Sequence, residues 1–300
     1  MLTASLAAVV AAAFFAVASA FQHRSAGLVA DPTQRRARLV VFFSVILRHP
    51  LWIIGSLAAV VGAVLHAIAL RDGPLTLVQP LLVTSVIFAL PLRQMLEGRK
   101  PGRAEVGWAA ALTVGLAAFF AIAVPGNASA QAPDTVPTIV AGALIALGIV
   151  LCTVLGRRAS GGRAATLLGA AAALAFAAGA GLLKEVMDLF SHGIATVATA
   201  WSFYALVAIA GVGLVLNQLA YSAGPLSSSL PVLSTVDPVV SLIIGVSVFD
   251  EPFRNSPVDL VGESLGLALV LLAAVRLTRS SSGAAPSGGA RNRASELGAV

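Results

Sequence analysis

Charge is what this chain has least of. Only 11% of its 300 residues are Asp, Glu, Lys or Arg, whereas soluble domains carry about a quarter. So few charges cannot cover a globular surface with solvated groups. Low hydrophobicity with high charge, the signature of disorder, is also missing: 58% of the residues are hydrophobic and the mean hydropathy is +0.94. There is one cysteine, Cys152, which excludes a disulfide within the chain and a cysteine metal site. Lysine occurs only at 100 and 184, against a surplus of arginine and alanine, the bias of a GC-rich bacterial genome. The four histidines, at 23, 49, 66 and 192, are scattered. No His-Glu-x-x-His, Gly-x-Ser-x-Gly or Walker loop occurs, and no paired carboxylates share one polar segment, so an enzyme and an ATP-driven pump are not expected.

What is present is a series of long apolar runs. Nine stand out: 2–21, 51–70, 75–96, 106–124, 136–155, 165–187, 198–221, 226–249 and 260–277. At about 20 residues per span, they describe an all-α polytopic membrane protein with about nine transmembrane helices. Residues 39–47 read as an interfacial lead-in to the second helix. Ala18-Ser19-Ala20 resembles a signal-peptidase site, but no Lys or Arg precedes Arg24, so a retained helix is expected. The net charge of +6 would suggest nucleic acid in a soluble protein. Here the basic residues lie between the runs. The segments 22–49, 93–103, 156–163 and the tail after 275 hold sixteen of the nineteen Lys and Arg. Nine spans place all four on one side, which the positive-inside rule makes the cytoplasm. The N-terminus is then outside and the C-terminus inside. Residues 278–300, rich in Ser, Gly, Ala and Arg, read as a disordered cytoplasmic tail. Asn127-Ala128-Ser129 fits a glycosylation sequon, without meaning in a bacterial protein.

The chain also repeats itself. Gly73-Pro74-Leu75 and Gly224-Pro225-Leu226 are offset by 151, as are Pro80 and Pro231, Thr84 and Thr235, Leu77 and Ser228, and His66 and Asn217. Each unit reads as a helix, a short Gly-Pro-Leu turn and a helix broken by a proline six residues later. The expected organisation is a first four-helix repeat over 1–125, a linking helix at 136–155 and a second four-helix repeat over 163–277 (4+1+4). An odd count between the halves inverts one against the other, a signature of secondary transporters.

Several polar residues fall inside the runs. Asp237 lies midway along the eighth, beside Pro238, where a lone carboxylate costs several kcal/mol. It reads either as a coupling group for a proton or cation, and the one candidate metal ligand, or as a cap on a broken helix. Gln79 beside Pro80, and Ser227, Ser228 and Ser229 before Pro231, with Thr235, read as lining a cavity between broken helices, at Pro80, Pro231 and Pro238. Plain kinks with hydroxyls bonding back to the helix are the alternative. His66 and Asn217, with Gln218 and Tyr221, are either interhelix hydrogen-bonding groups or substrate contacts. Lys184, Glu185 and Asp188 end the sixth run, where Lys184 and Asp188 are spaced to pair. The cluster is either an interfacial charge group or an outer gate.

The stretch from Trp52 and Gly55 through His66-Ala67-Ile68-Ala69-Leu70 to Gly73-Pro74-Leu75-Thr76-Leu77-Val78-Gln79-Pro80-Leu81 resembles the drug/metabolite transporter superfamily. So does the second-half run from Ala223-Gly224-Pro225-Leu226 through Asp237-Pro238-Val239-Val240 to Asp250-Glu251-Pro252. More narrowly, both are similar to the NIPA-like magnesium-transporter branch and its actinobacterial relatives. The resemblance implies a secondary transporter with inverted repeats and, for the branch, transport of divalent cations, chiefly magnesium. Thr84-Ser85-Val86 stands where the family often has an acid, and no acid lies in 1–21, which disfavours proton–drug exchange through a first-helix glutamate. The expected function is movement of a small solute, or of a divalent cation such as magnesium, across a bacterial inner (plasma) membrane by alternating access. An exporter of a small organic metabolite or drug, or a non-transporting scaffold, is the alternative. No cofactor and no nucleic acid is expected. The partners are the solute and the lipid bilayer, with a homodimer as an option.

Overall fold

The computed structural model describes residues 1–29, 47–97, 100, 102–122, 135–224, 226–251 and 257–283. The expected interfacial stretch at 39–47 falls almost wholly outside them, and the sequon at Asn127 entirely so. Eleven helices and no strand occur among the described residues. They are α1 (Leu2–Val29), α2 (Pro50–Asp72), α3 (Leu75–Leu82), α4 (Ser85–Glu97), α5 (Arg103–Ile122), α6 (Thr135–Arg158), α7 (Gly161–Phe190), α8 (Ile194–Thr199), α9 (Trp201–Ala223), α10 (Leu226–Val248) and α11 (Pro257–Gly283).

Six of these helices, wholly or in their greater part, are long and apolar enough to cross a membrane: Leu2–Gln22, Pro50–Asp72, Thr135–Arg158, Gly161–Phe190, Trp201–Ala223 and Ser228–Val248. Leu75–Ala89 and Ser264–Arg276 are shorter apolar stretches. Large aliphatic side chains point outward along them, such as Leu57, Val60 and Val64 on α2 and Ile139, Leu144 and Leu147 on α6. Water would not tolerate such belts; lipid does, because its tails are as apolar as leucine. The chain is a multi-pass membrane protein.

Without a hydrophobic drive between helices in lipid, association depends on close packing of small residues. Helix α7 shows this best. Ala165, Ala171, Ala172, Ala173, Ala175 and Ala177 are fully buried, and α7 touches α2, α6, α9 and α10. Its small side chains let α10 come near enough that a methyl added at Gly169 would stand 3.3 Å from the Ser229 backbone. Helix α6 is the opposite case: little of it is buried, and it lies on the rim against α7.

Contacts recur between the halves at the sequence offset. Helices α2 and α9 are each 23 residues long and start 151 residues apart, as α3 and α10 do. α1 packs on α2 as α7 packs on α9. A methyl at Gly62 would stand 2.8 Å from the Phe15 ring, and one at Gly213, 151 residues on, 2.7 Å from the ring of Phe176, which follows Phe15 by 161 residues. The α5–α11 contact is reciprocal. Gly115 faces Val270 at 3.1 Å, and Gly266 faces Phe119 at 3.0 Å, again by added methyl. The two glycines are 151 residues apart and so are their two partners, so each helix presents to the other the position that the other presents to it.

The helix after Gly73-Pro74 does break. Past Pro80, which has no amide hydrogen to give, Val83 N–H bonds Pro80 O at 3.2 Å and Thr84 N–H bonds Leu81 O at 3.0 Å. This tight turn separates α3 from α4. In the second half the expected break is not there: α10 runs unbroken from Leu226 to Val248 through Pro231 and Pro238. Hydroxyls hold it together. Ser234 Oγ donates to Leu230 O at 2.9 Å, Thr235 Oγ1 to Pro231 O at 2.7 Å, and Thr166 Oγ1 reaches from α7 to Ser228 O at 3.2 Å. Pro231 and Pro238 withhold bonds from the carbonyls four residues earlier, at 227 and 234, and these hydroxyls bond the carbonyls around those positions. The tail also departs from expectation, since α11 continues to Gly283 rather than ending near 277. Each residue added to an anchored helix gains a backbone bond without a new nucleus.

Candidate functional site

The most constrained polar arrangement forms where α10 ends. Asp250 has a left-handed backbone (φ 48°), a conformation that Asp and Asn tolerate better than most residues. The chain doubles back, and Glu251 N–H bonds Gly245 O at 3.0 Å. The Glu251 carboxylate then lies over Gly245, where a methyl would stand 2.6 Å from Oε2. From there it reaches the start of α3, 175 residues earlier. Oε1 accepts the Leu75 N–H at 2.8 Å and Oε2 accepts the Thr76 N–H at 2.9 Å. Leu77 and Val78 N–H both bond Pro74 O. The first four amides of α3 therefore all have partners, and Glu251 supplies them for the two that the helix leaves open.

Lys184, from α7, completes the cluster. Its Nζ lies 3.3 Å from Glu251 Oε1 and 5.5 Å from the centre of the Phe249 ring. Lys184 and Glu251 are each only 4% exposed. A buried pair holds only when its remaining hydrogen-bonding capacity is met; two helix amides and an aromatic face serve here. The expected Lys184–Asp188 pairing is replaced by this one, because the returning chain places a carboxylate directly against Nζ.

The remaining candidates fall into separate groups. Gln79, 2% exposed, has its Nε2 3.4 Å from His66 Nε2, so α2 and α3 bring these two together. The Phe15 and His66 rings stand nearly perpendicular, 6.2 Å between centres. Asn217 and Gln218 are buried on α9, and Gln218 Nε2 donates to Gln22 Oε1 on α1 at 3.4 Å. Asp237 is half-buried on α10, accepting from Ser241 Oγ at 3.3 Å. Ser228 lies beside Gly162, Ser229 is fully buried beside Gly169, and Thr235 is bonded within its own helix. The Ser227 side chain lies outside the described residues. Among the described residues, no three of His, Cys, Asp or Glu gather where they could hold a metal ion, around Asp237 or elsewhere.

Sequence reasoning singled out Lys184 but gave Glu251 no role. Its signal was its place in Asp250-Glu251-Pro252, directly after an apolar run.

No protein-family model matches the chain, and no solved structure does. An uncharacterized protein of Corynebacterium glutamicum is similar to it, 29% identical over 238 residues that cover 78% of this chain and 81% of that protein.

Proposed function

We propose that the chain is a secondary transporter of the drug/metabolite type. Nine spans form two four-helix repeats of opposite orientation about the linking helix α6, with α3 and α4 together making one broken span. The basic segments face the cytoplasm of a bacterial inner membrane, the N-terminus lies outside and no nucleotide drives transport. One observation carries this reading: the reciprocal packing of Gly115 on Val270 and Gly266 on Phe119. A two-fold relation between inverted halves makes such a contact equivalent from both sides, and related halves can exchange conformations to open a central site to each face in turn.

The solute favoured is a small polar organic compound. His66, Gln79, Gln22 and Gln218 offer neutral donors and acceptors at buried positions, which suit a hydrogen-bonding solute. Magnesium demands near-octahedral oxygen coordination, usually with carboxylates, and among the described residues Asp237 is bonded by the Ser241 hydroxyl and belongs to no group of three ligating side chains.

Growth on limiting magnesium separates the two. Wild type and Asp237→Asn are expressed at matched membrane levels in a bacterium lacking its own magnesium uptake systems. No rescue by wild type, together with altered export of organic compounds, is the expected result. Rescue by wild type and not by Asp237→Asn would assign the solute to divalent cations. Neither rescue nor any change in exported compounds would overturn the transport reading.

A further inference from the structure

We infer that Glu251, held by Lys184, is a latch that keeps one end of the bundle closed by fastening the broken half-helix α3 to the end of α10. This deepens the transport reading and rests on it.

The latch joins three elements distant in sequence: the α2–α3 turn, the inner face of α7 and the turn after α10. Its parts are buried, yet each interaction is polar and can be exchanged for water. α3 has only eight residues and is set off from α4 by the Pro80 turn, so it can move as a short unit. It also carries Gln79 and positions it against His66. Releasing Glu251 frees the two α3 amides, Leu75 and Thr76, together with the segment bearing the polar pair.

The two ends of the bundle differ at this point. Lys184 lies 21 residues along α7 from Arg163, about 32 Å at 1.5 Å per residue, so the latch is at the end away from Arg157, Arg158 and Arg163. The position 151 residues before Glu251 is Lys100, whose side chain is exposed. Between α1 and α7 the offset is 161, the spacing of Phe15 and Phe176, which places Arg24 opposite Glu185, and Arg24 Nη1 donates to Leu96 O. A carboxylate clamp at one end is thus matched by basic side chains at the other. Two inverted halves with identical ends would have no reason to rest in one conformation. A clamp at one end biases them toward the form closed there, by as much as its energy differs between the two forms.

The test uses the full chain in native membrane vesicles, with Cys152→Ser removing the native thiol. Thr76→Cys reports on the latched end, since only the backbone of Thr76 meets Glu251, and Ser228→Cys reports near the other Gly-Pro-Leu turn. The probe is a charged, membrane-impermeant maleimide applied to right-side-out and to inverted vesicles. With the latch intact, the position-76 reporter should react slowly from both faces. Lys184→Met, or Glu251→Gln, which keeps an acceptor for α3 but loses the charge, should speed it about tenfold from one face only. The position-228 reporter should slow in the same variants. Unchanged rates in properly inserted Lys184→Met and Glu251→Gln would overturn the latch. So would a rise at both positions with lowered thermal stability, since that is plain loosening. A response at position 76 alone would uphold the latch and overturn alternating access, so the two readings fail separately.

Discussion

The two Gly-Pro-Leu turns begin from the same three residues and are closed by different physics. At Gly73-Pro74-Leu75 the following helix is capped by a carboxylate from 175 residues away, itself held by a buried lysine. At Gly224 the turn is seated against backbone: a methyl there would stand 2.7 Å from Gly161 O and 3.1 Å from Gly162 N. The first closure is electrostatic and exchangeable, and the second is steric and fixed. The helices that follow differ to match, α3 breaking after eight residues and α10 running for 23. A repeated sequence motif therefore specifies the turn, while residues outside it decide whether the turn can move.

The largest expected effect comes from removing the first closure. Glu251→Ala strips the cap from α3 and leaves Lys184 buried without a counter-charge, and breaking one side of such a pair costs about 3–5 kcal/mol. Thermal unfolding of the purified protein in detergent should show a large fall in midpoint. Lys100→Ala, at the corresponding place in the other half, removes an exposed charge and should leave the midpoint nearly unchanged. Glu251→Gln should fall between them. Equal losses for Glu251→Ala and Lys100→Ala would remove the contrast between the two ends.

Next come the glycines of the turns. Gly224→Ala drives a methyl into the backbone of Gly161 and Gly162, and overpacking of this kind costs about 1–3 kcal/mol. Gly73→Ala also crowds, but its nearest obstacle is the Ala4 methyl at 2.8 Å. The sharp version of the experiment is rescue. Ala4→Gly should restore most of the stability lost in Gly73→Ala, whereas no side-chain trimming can restore Gly224→Ala. Rescue of both, measured by the same unfolding midpoint, would mean that the second turn yields as readily as the first.

These contrasts mark what could be read from the sequence. The Gly-Pro-Leu repeat and its offset marked where α2 and α9 end and where α3 and α10 begin, because Gly-Pro punctuation acts locally. The membrane class followed from composition, and the pairing of Gln79 with Pro80 at a break was anticipated. The continuity of α10 was left open, with hydroxyls bonding back to the helix as the alternative to a break; Ser234 and Thr235 do bond back, while the tie from Thr166 on another helix has no local signal. The Glu251 cap was not anticipated, because no local pattern links residue 251 to residues 75 and 76. Asp237 attracted the argument as a lone carboxylate in an apolar run, while the carboxylate with the fullest set of partners lay just past a helix end.

The matched crowding at Gly62 and Gly213 tests the likeness of the halves rather than their difference. Each would press a new methyl on a phenylalanine ring, Phe15 or Phe176. A ring edge can shift where backbone cannot, so each Ala substitution should cost about 1 kcal/mol, at the low end for overpacking. Phe15→Leu should relieve Gly62→Ala, and Phe176→Leu should relieve Gly213→Ala, each within its own half only. Cross-rescue, or an effect confined to one half, would show that the 151-residue correspondence is not a packing equivalence.

The smallest effect belongs to the threonines that share the offset. Thr84 Oγ1 donates to Leu81 O at 2.6 Å at the break, and Thr235 Oγ1 donates to Pro231 O at 2.7 Å in the unbroken helix. Valine keeps the shape of either side chain and removes one hydrogen bond, a net change of about 0.5–1.5 kcal/mol. The two losses should be alike in the unfolding midpoint. They should differ in amide hydrogen exchange. In Thr84→Val the tight turn of Val83 and Thr84 loses a side-chain tie and should exchange faster, while in Thr235→Val the α7 contact through Thr166 and Ser228 still holds α10. Faster exchange around Thr235 and none around Thr84 would reverse the assignment of which turn is built to move.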